Sequence, residues 1–180
     1  ATTQDQIQVE ARAAVRVAEK SSTPALGSAA PPSVTLTATD VDNISMISSD
    51  PDPDVDFYQL SIHAALQEDK PLVLVFATPA FCVSATCGPQ LEILTRLKDR
   101  YQGRVNFIHV EAFENPHLMQ GGRPGGDLVL AVKEWGLPSE PWTFIVGKDG
   151  IVKAKYDQFI PEEALEAVLK PLLGLSFSES

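Results

Sequence analysis

Cys82 and Cys87 are the only two cysteines of this 180-residue chain, and four residues separate them. A thiol pair of this kind can form a disulfide, which a partner thiolate can attack and exchange. The pair lies in FATPAFCVSATCGPQLEIL, where an apolar run typical of a buried strand changes to a helical pattern. Open α/β sheets place functional sites at this edge, and the N–H groups at a helix start stabilise a thiolate. The position therefore favours redox chemistry over a structural disulfide or two buried thiols.

The elements that must position this pair alternate between residues 57 and 175. The stretch 57–69 has helical periodicity, LVLVFAT suits a central strand, and a helix ending at Gly103 follows. VNFIHVE is predicted to form a second strand, and GDLVLAVKEWGL a third helix. PWTFIVG and IVKAKYD are predicted to form a hairpin, and the stretch after Pro161 is predicted to form a last helix. Because strand–helix–strand units form right-handed parallel crossovers, this order predicts a three-layer α/β sandwich. Its mixed four-stranded sheet would be flanked by helices.

Two segments precede this part of the chain, and a short tail follows it. Residues 1–20 carry apolar residues at alternate positions, which predicts a strand. That strand either joins the sheet or belongs to an upstream domain outside this chain, and we favour the second. Residues 21–56 are rich in Pro, Ser, Ala and Asp, which predicts an extended, solvated acidic linker. We expect residues 57–175 to form the domain and 176–180 a tail.

The formal net charge of −10 disfavours nucleic acids and anionic membranes as ligands, since both are bound by clusters of Lys and Arg. No apolar run approaches the ~20 residues that span a bilayer, so no membrane insertion is expected within this chain. The eight acidic residues between Lys20 and Lys70 are accompanied by no Lys or Arg. Most of the negative charge therefore belongs to the predicted linker. The predicted domain is nearly neutral, with no strong field to select charged substrates.

Three stretches of the predicted domain resemble the thioredoxin superfamily, in particular the extracytoplasmic TlpA-like thioredoxins. They are KPLVLVFATPAFC, RYQGRVNFIHVE and SEPWTFIVGKDGIV. The resemblance covers residues 57–175 and implies a thioredoxin-like fold and a thiol–disulfide oxidoreductase that needs no cofactor or metal. Its partners would be protein thiols or disulfides. With the linker composition, it also implies a place outside the cytoplasm, secreted or tethered to a membrane; the direction of electron flow stays open.

The resemblance also assigns roles to individual residues. Proteins of this kind carry an aromatic residue before the first cysteine, which Phe81 matches, and a cis-proline opposite the disulfide, which Pro141 matches. A cis-proline there exposes backbone groups that can pair with an extended partner segment. Phe81 and Trp142 would then form an apolar rim. The implied catalytic residues are Cys82 and Cys87, and the implied substrate-binding residues are Phe81, Glu140, Pro141 and Trp142.

The cysteine spacing departs from the family, which has two residues between its cysteines instead of four. Matching Cys-Gly-Pro makes Cys87 the attacking cysteine and puts Gln90 in the second position. Matching the distances outward from the site instead makes Cys82 attack and Cys87 resolve, and we prefer this alignment. A physical argument opposes it: Pro89 prefers a first helical turn, so the helix would begin near Cys87 and favour that thiolate.

A thiol peroxidase is an alternative, because the spacing resembles bacterioferritin-comigratory peroxiredoxins, where TPxC opens a similar motif. TPAFC has one residue more. Pro79 stands where that family needs Thr or Ser, and Pro141 and Trp142 stand where it needs an Arg. Both differences remove groups that activate the peroxide.

A copper-delivery module resembling Sco-type proteins is a further alternative, and a non-catalytic interaction module is another. Copper delivery needs a histidine ahead of the late hairpin, and LPSEPWTF has none. The pairing of His117 with Met119 is the one feature that supports copper binding. His109 lies in a predicted strand and is expected to be packed. In the non-catalytic module, the disulfide would only hold its loop.

Overall fold

The computed structural model describes residues 19–82, 85–119 and 126–175. Its four strands are β1 (Leu72–Ala77), β2 (Asn106–Glu111), β3 (Trp142–Val146) and β4 (Val152–Asp157), in the order β2-β1-β3-β4. β1 pairs in parallel with β2 and antiparallel with β3, and β3 pairs antiparallel with β4. The predicted α/β sandwich with a mixed four-stranded sheet is confirmed. The strand-like pattern predicted over residues 1–20 falls almost wholly on residues 1–18, which lie outside the described residues, as does the tail 176–180.

Helices cover both faces of the sheet. The helices are α1 (Ile62–Ala65), α2 (Cys87–Arg100), α3 (Leu130–Glu134) and α4 (Glu162–Leu172). All six residues of β1 are buried, because successive side chains of this central strand enter opposite cores. Val73 and Val75 pack with residues of α2 and α4, whereas Leu74 and Phe76 pack with residues of α1 and α3. The sheet therefore forms the middle layer of three.

The helix predicted over residues 57–69 is shorter in the structure. A 3-10 helix occupies Val55–Tyr58, and α1 covers only four residues, Ile62–Ala65. The Ser61 hydroxyl accepts a hydrogen bond from Ala64 N at 3.1 Å and so caps a new helix start inside the predicted one. The other predicted ends agree better, since Gly103 and Gly136 have positive φ angles of 75° and 61° shortly after α2 and α3.

Residues 21–56, here called the N-terminal segment, pack on the sheet and its helices, so the expected extended, solvated linker is wrong for this stretch. Gly27 N and Ala30 N donate to carbonyl oxygens beside the start of β4, at Val152 and Gly150, with distances of 2.9 Å. Ala30 and Ile47 are buried in the two cores. The linker-like composition is misleading because a few apolar side chains and satisfied backbone groups suffice to hold such a segment in place.

Candidate functional site

The two cysteines flank the loop between β1 and α2, here called the cysteine loop (residues 78–86, of which 83 and 84 lie outside the described residues). Phe81 N donates to Thr78 O at 3.1 Å, which turns the chain back after the strand. Cys82 lies in this loop, and Cys87 is the first residue of α2. The structure brings the two together as a disulfide with Cα atoms 6.1 Å apart. The site therefore lies at the carboxyl end of the central strand.

The two sulfur-bearing residues have different surroundings. Cys82 is half-buried, whereas Cys87 is fully buried in the core beside α2 and α4. Lys98 and Arg100 in the last turn of α2 complement the negative end of the helix dipole, and no acidic side chain in the first turn neutralises its positive end. The positive end of that dipole falls on Cys87. Access therefore favours Cys82 as the sulfur that is attacked, and the helix start favours Cys87 as the thiolate that leaves.

Pro141 lies at the same sheet edge as the cysteine loop. The register pairs Phe76 with Trp142, which sets Pro141 opposite the end of β1. The Glu140–Pro141 peptide bond is cis. Pro141 O accepts from Gln158 N at 2.9 Å, and Glu140 O accepts from Gln158 Nε2 at 3.2 Å. A partner segment that pairs with these carbonyl oxygens must share them with Gln158, which their two lone pairs allow.

The two aromatic residues expected at the rim lie in different places. Phe81 is half-buried in the cysteine loop. Trp142 is only 9% exposed, stacks on Phe144 at 5.8 Å between ring centroids, and donates its indole N–H to Ser139 Oγ at 3.1 Å. The expected apolar rim of two rings is therefore wrong for Trp142. Alternation along β3 places this ring on the same face as Phe144, inside the core.

Two carboxyl groups lie beside Thr78: that of Glu140, which was expected to bind substrate, and that of Glu111, which was not singled out from the sequence. Glu111 ends β2 and is 3% exposed, and its carboxylate accepts from Ser49 N at 2.8 Å and from Ala112 N at 3.1 Å. Burial raises the pKa of Glu111 and also that of Glu140, which the Glu111 charge raises further. The signal that would have found Glu111 is its place at the carboxyl end of a buried strand next to β1.

His109 is packed, as expected from its place in a strand. Its Nε2 lies 3.0 Å from Ala77 O at the end of β1, and its Nδ1 lies 2.5 Å from the Tyr58 hydroxyl. Burial lowers the pKa of His109 to about 4, so the ring is neutral and supports the end of β1. His117 lies in a separate 3-10 helix, Pro116–Leu118. Within 19–82, 85–119 and 126–175, no group of three or more His, Cys, Asp or Glu side chains is placed to hold a metal ion.

No protein-family model matches the chain, and no curated protein sequence matches it. Solved structures do match. Chloroplastic thioredoxin z is 18% identical with a TM-score of 0.46, over 62% of this chain and 85% of that chain. A putative thiol:disulfide interchange protein DsbE from Chlorobium tepidum is 18% identical with a TM-score of 0.48, over 59% of this chain and 82% of that chain. At these levels, the matches assign neither an activity nor a partner to this chain.

Among the described residues, every helix is too short or too polar to cross a bilayer.

Proposed function

We propose that this protein is a thiol–disulfide oxidoreductase that exchanges the Cys82–Cys87 disulfide with protein thiols. One observation carries the proposal: the disulfide joins a half-buried sulfur in a loop to a fully buried sulfur at the start of α2. A disulfide that only held the loop would need neither the access of one sulfur nor the helix dipole behind the other. A reversible redox centre uses both.

The exchange runs in two displacement steps. A partner thiolate attacks Cys82 Sγ and forms a mixed disulfide, while the electron pair of the broken bond leaves with Cys87 Sγ as a thiolate. A second partner thiolate then attacks the partner's own sulfur in the mixed disulfide and releases the Cys82 thiolate. The partner dithiol is thereby oxidised to a disulfide, and the Cys82–Cys87 pair takes up two electrons and, from the partner or solvent, two protons. The reverse sequence oxidises this chain.

The chain's own residues favour the first step at Cys82. The dipole of α2 stabilises the thiolate that develops on Cys87, because that sulfur belongs to the first helical residue. Attack at Cys87 would require a partner to reach a fully buried sulfur. Cys82 is therefore the attacking cysteine in the reduced protein by microscopic reversibility, and Cys87 is the resolving one.

Three further residues are proposed to contact the partner. Phe81 precedes Cys82 and is half-buried, so its ring offers apolar surface beside the reactive sulfur. Glu140 and Pro141 lie opposite the end of β1, where an extended partner segment adds to the backbone. Trp142 contributes from the core by supporting this position and is not part of the contact.

We further propose that the protein is of the TlpA-like type and acts outside the cytoplasm. The stretches around the cysteines and Pro141 support this. The reduction potential of the pair decides the direction of electron flow: a value near that of strong oxidants indicates oxidative folding, and a low value indicates a reductase.

Single-cysteine variants test the function and the roles together. Cys87→Ser is expected to trap a mixed disulfide with a partner at Cys82, whereas Cys82→Ser is expected to trap none. Mass spectrometry of each variant after reaction with a disulfide-containing protein such as insulin gives the result. Trapping only in Cys82→Ser would reverse the roles. A pair that reduces no insulin and has a very low reduction potential would identify a structural disulfide. Turnover of hydrogen peroxide with a thiol donor would favour the peroxidase.

A further inference from the structure

We propose that the N-terminal segment forms one wall of the partner groove and selects partners with a Lys or Arg beside the reactive cysteine. The inference rests on the proposed function and names the partner chemistry of the same site. It depends on the packing of a segment that the sequence predicted to be a solvated linker. Because that segment packs on the domain, its residues Asp50 and Asp52 line one groove with Pro79 and Gly88, which lie on either side of the two cysteines along the chain.

A groove with a volume of about 450 Å³ joins the N-terminal segment to the cysteine site. Pro79 of the cysteine loop and Gly88, the residue after Cys87, line one side of it. Asp50 and Asp52 line the other side. The groove therefore lies next to both ends of the disulfide-bearing segment, within reach of a polypeptide that is engaged with Cys82. Under the proposed function, the disulfide is the independent feature that requires a polypeptide near this place.

The acidic residues of this groove are not neutralised by the protein itself. Lys98 lies nearby, but it is paired with Asp54 at 2.9 Å and with Asp56 at 2.8 Å. In the described part of the chain, neither Asp50 nor Asp52 forms an ion pair, and Glu92 on α2 forms none either. These three carboxylates carry charge of the same sign, and the apolar side chains between them do little to screen it. Together they produce an electrostatic field that attracts cations. The nearly neutral field expected from composition is therefore wrong at the site.

The acidic wall is fixed relative to the cysteine loop. Ser49 N donates to the buried Glu111 carboxylate at 2.8 Å, and Ser49 Oγ accepts from Ala80 N at 3.3 Å. The Ser48 hydroxyl lies 2.8 Å from that of the buried Tyr58. These bonds tie the residues just before Asp50 to both β2 and the cysteine loop. The carboxylates thus keep a constant position, which reduces the entropy lost when a partner binds.

The shape of the groove favours a basic side chain over a bare cation. Its floor is apolar, with Phe57 and Leu91 beneath the carboxylates. Lys and Arg pack their aliphatic stems on such surface while the charged tip meets carboxylates. A divalent cation needs several oxygens converging on one point, and the described residues offer no such group. The occupant is therefore a partner segment with a basic residue next to its cysteine.

The test compares two peptides that differ only in charge. Each is a short disulfide-containing peptide, one with Arg and one with Gln flanking the cysteines, and the rate of exchange with the reduced protein is measured at low salt. Asp50→Asn with Asp52→Asn is expected to lower kcat/KM for the Arg peptide about tenfold and leave the Gln peptide unchanged. The preference of the wild-type protein for the Arg peptide should weaken as salt is added.

The matched control is Asp42→Asn with Asp69→Asn, which removes the same net charge from the same residue type outside the groove. Equal effects of the two double variants would overturn the proposal, and so would an equal loss on both peptides. Binding of an Arg peptide whose cysteines are replaced by Ser reports on the groove alone. If no peptide exchanges but this binding depends on Asp50 and Asp52, the proposed binding of a basic residue in the groove is supported and the proposed function is refuted. Calcium binding that is lost in Asp50→Asn with Asp52→Asn would instead identify a cation site.

Discussion

The buried His109 makes the stability of the fold depend on pH, and the size of the effect follows from its surroundings. The ring is 3% exposed, with Ala77 O on one side and the Tyr58 hydroxyl on the other. Both ring nitrogens have a polar partner, and the Tyr58 hydroxyl itself donates to Ser48 Oγ at 2.8 Å. Burial is therefore what disfavours the protonated ring, because it would carry a charge away from solvent.

The sign and magnitude follow from the two pKa values. In the unfolded chain a histidine titrates near its ordinary pKa of 6.5, whereas burial lowers the pKa of His109 in the fold to about 4. Between these values the unfolded chain binds a proton that the fold excludes. The stability contributed by His109 is therefore present above pH 6.5 and is lost as the pH falls toward 4. At about 1.4 kcal/mol for each pKa unit, the full loss is about 3 kcal/mol.

Urea unfolding at about pH 7.5 and about pH 4.5 measures this loss. Other groups also titrate in this range, so the informative quantity is the difference between the wild-type protein and His109→Gln. The glutamine amide offers one donor and one acceptor and is neutral at both pH values. We expect the wild-type protein to lose about 2.5 kcal/mol more than His109→Gln between the two pH values.

The exposed His63 supplies the control, since His63→Gln should leave the wild-type pH dependence unchanged. The reasoning is refuted if His109→Gln and the wild-type protein lose the same free energy on acidification. That result would mean that the ring accepts a proton in the fold without cost, so that its partners compensate for the loss of solvent around the charge.

Four further substitutions probe the packing around the site. Tyr58→Phe keeps the ring but removes the hydroxyl that contacts both Ser48 Oγ and His109 Nδ1, so the free energy of unfolding should fall by about 2 kcal/mol in urea titrations. Trp142→Ala should cost about 3–5 kcal/mol in the same assay because it removes a core ring, whereas Phe81→Ala should cost about 1 kcal/mol or less and raise KM for a protein disulfide. Lys98→Met should speed hydrogen exchange in residues 50–56 and leave the exchange of β1 unchanged, since it removes the ion pairs that hold Asp54 and Asp56.

The central elements could be predicted because each has a strong local pattern. LVLVFA is apolar at every position and begins with branched and β-branched residues, which suits a short strand covered on both faces. The start of α2 at Cys87, two residues before Pro89, follows from the preference of proline for a first helical turn. The pair of cysteines at the end of the central strand followed directly from these two elements.

The N-terminal segment could not be predicted in the same way. Its position depends on single long-range contacts, such as Ser49 with Glu111 and Asp54 with Lys98, and these have no periodicity in the sequence. The burial of Trp142, which was expected at the rim of the site, could not be predicted for a related reason. An aromatic residue next to the predicted proline fits a binding surface and a core equally well, and only the register of β3 decides between them.

The bonds between the N-terminal segment and β4 also limit how this protein can be cut or combined with others. Backbone groups at the start of the edge strand β4 are already hydrogen-bonded to this segment: the Val152 carbonyl accepts from Gly27 N, and Val152 N donates to Ser28 O. Just before the strand, the Gly150 carbonyl accepts from Ala30 N. Lys153 and Lys155 follow on the same strand, where charged side chains discourage pairing with another molecule. A fragment that began at residue 57 would expose the first half of this edge and invite aggregation. Residues 21–56 should therefore accompany residues 57–175 in any expression fragment or fusion.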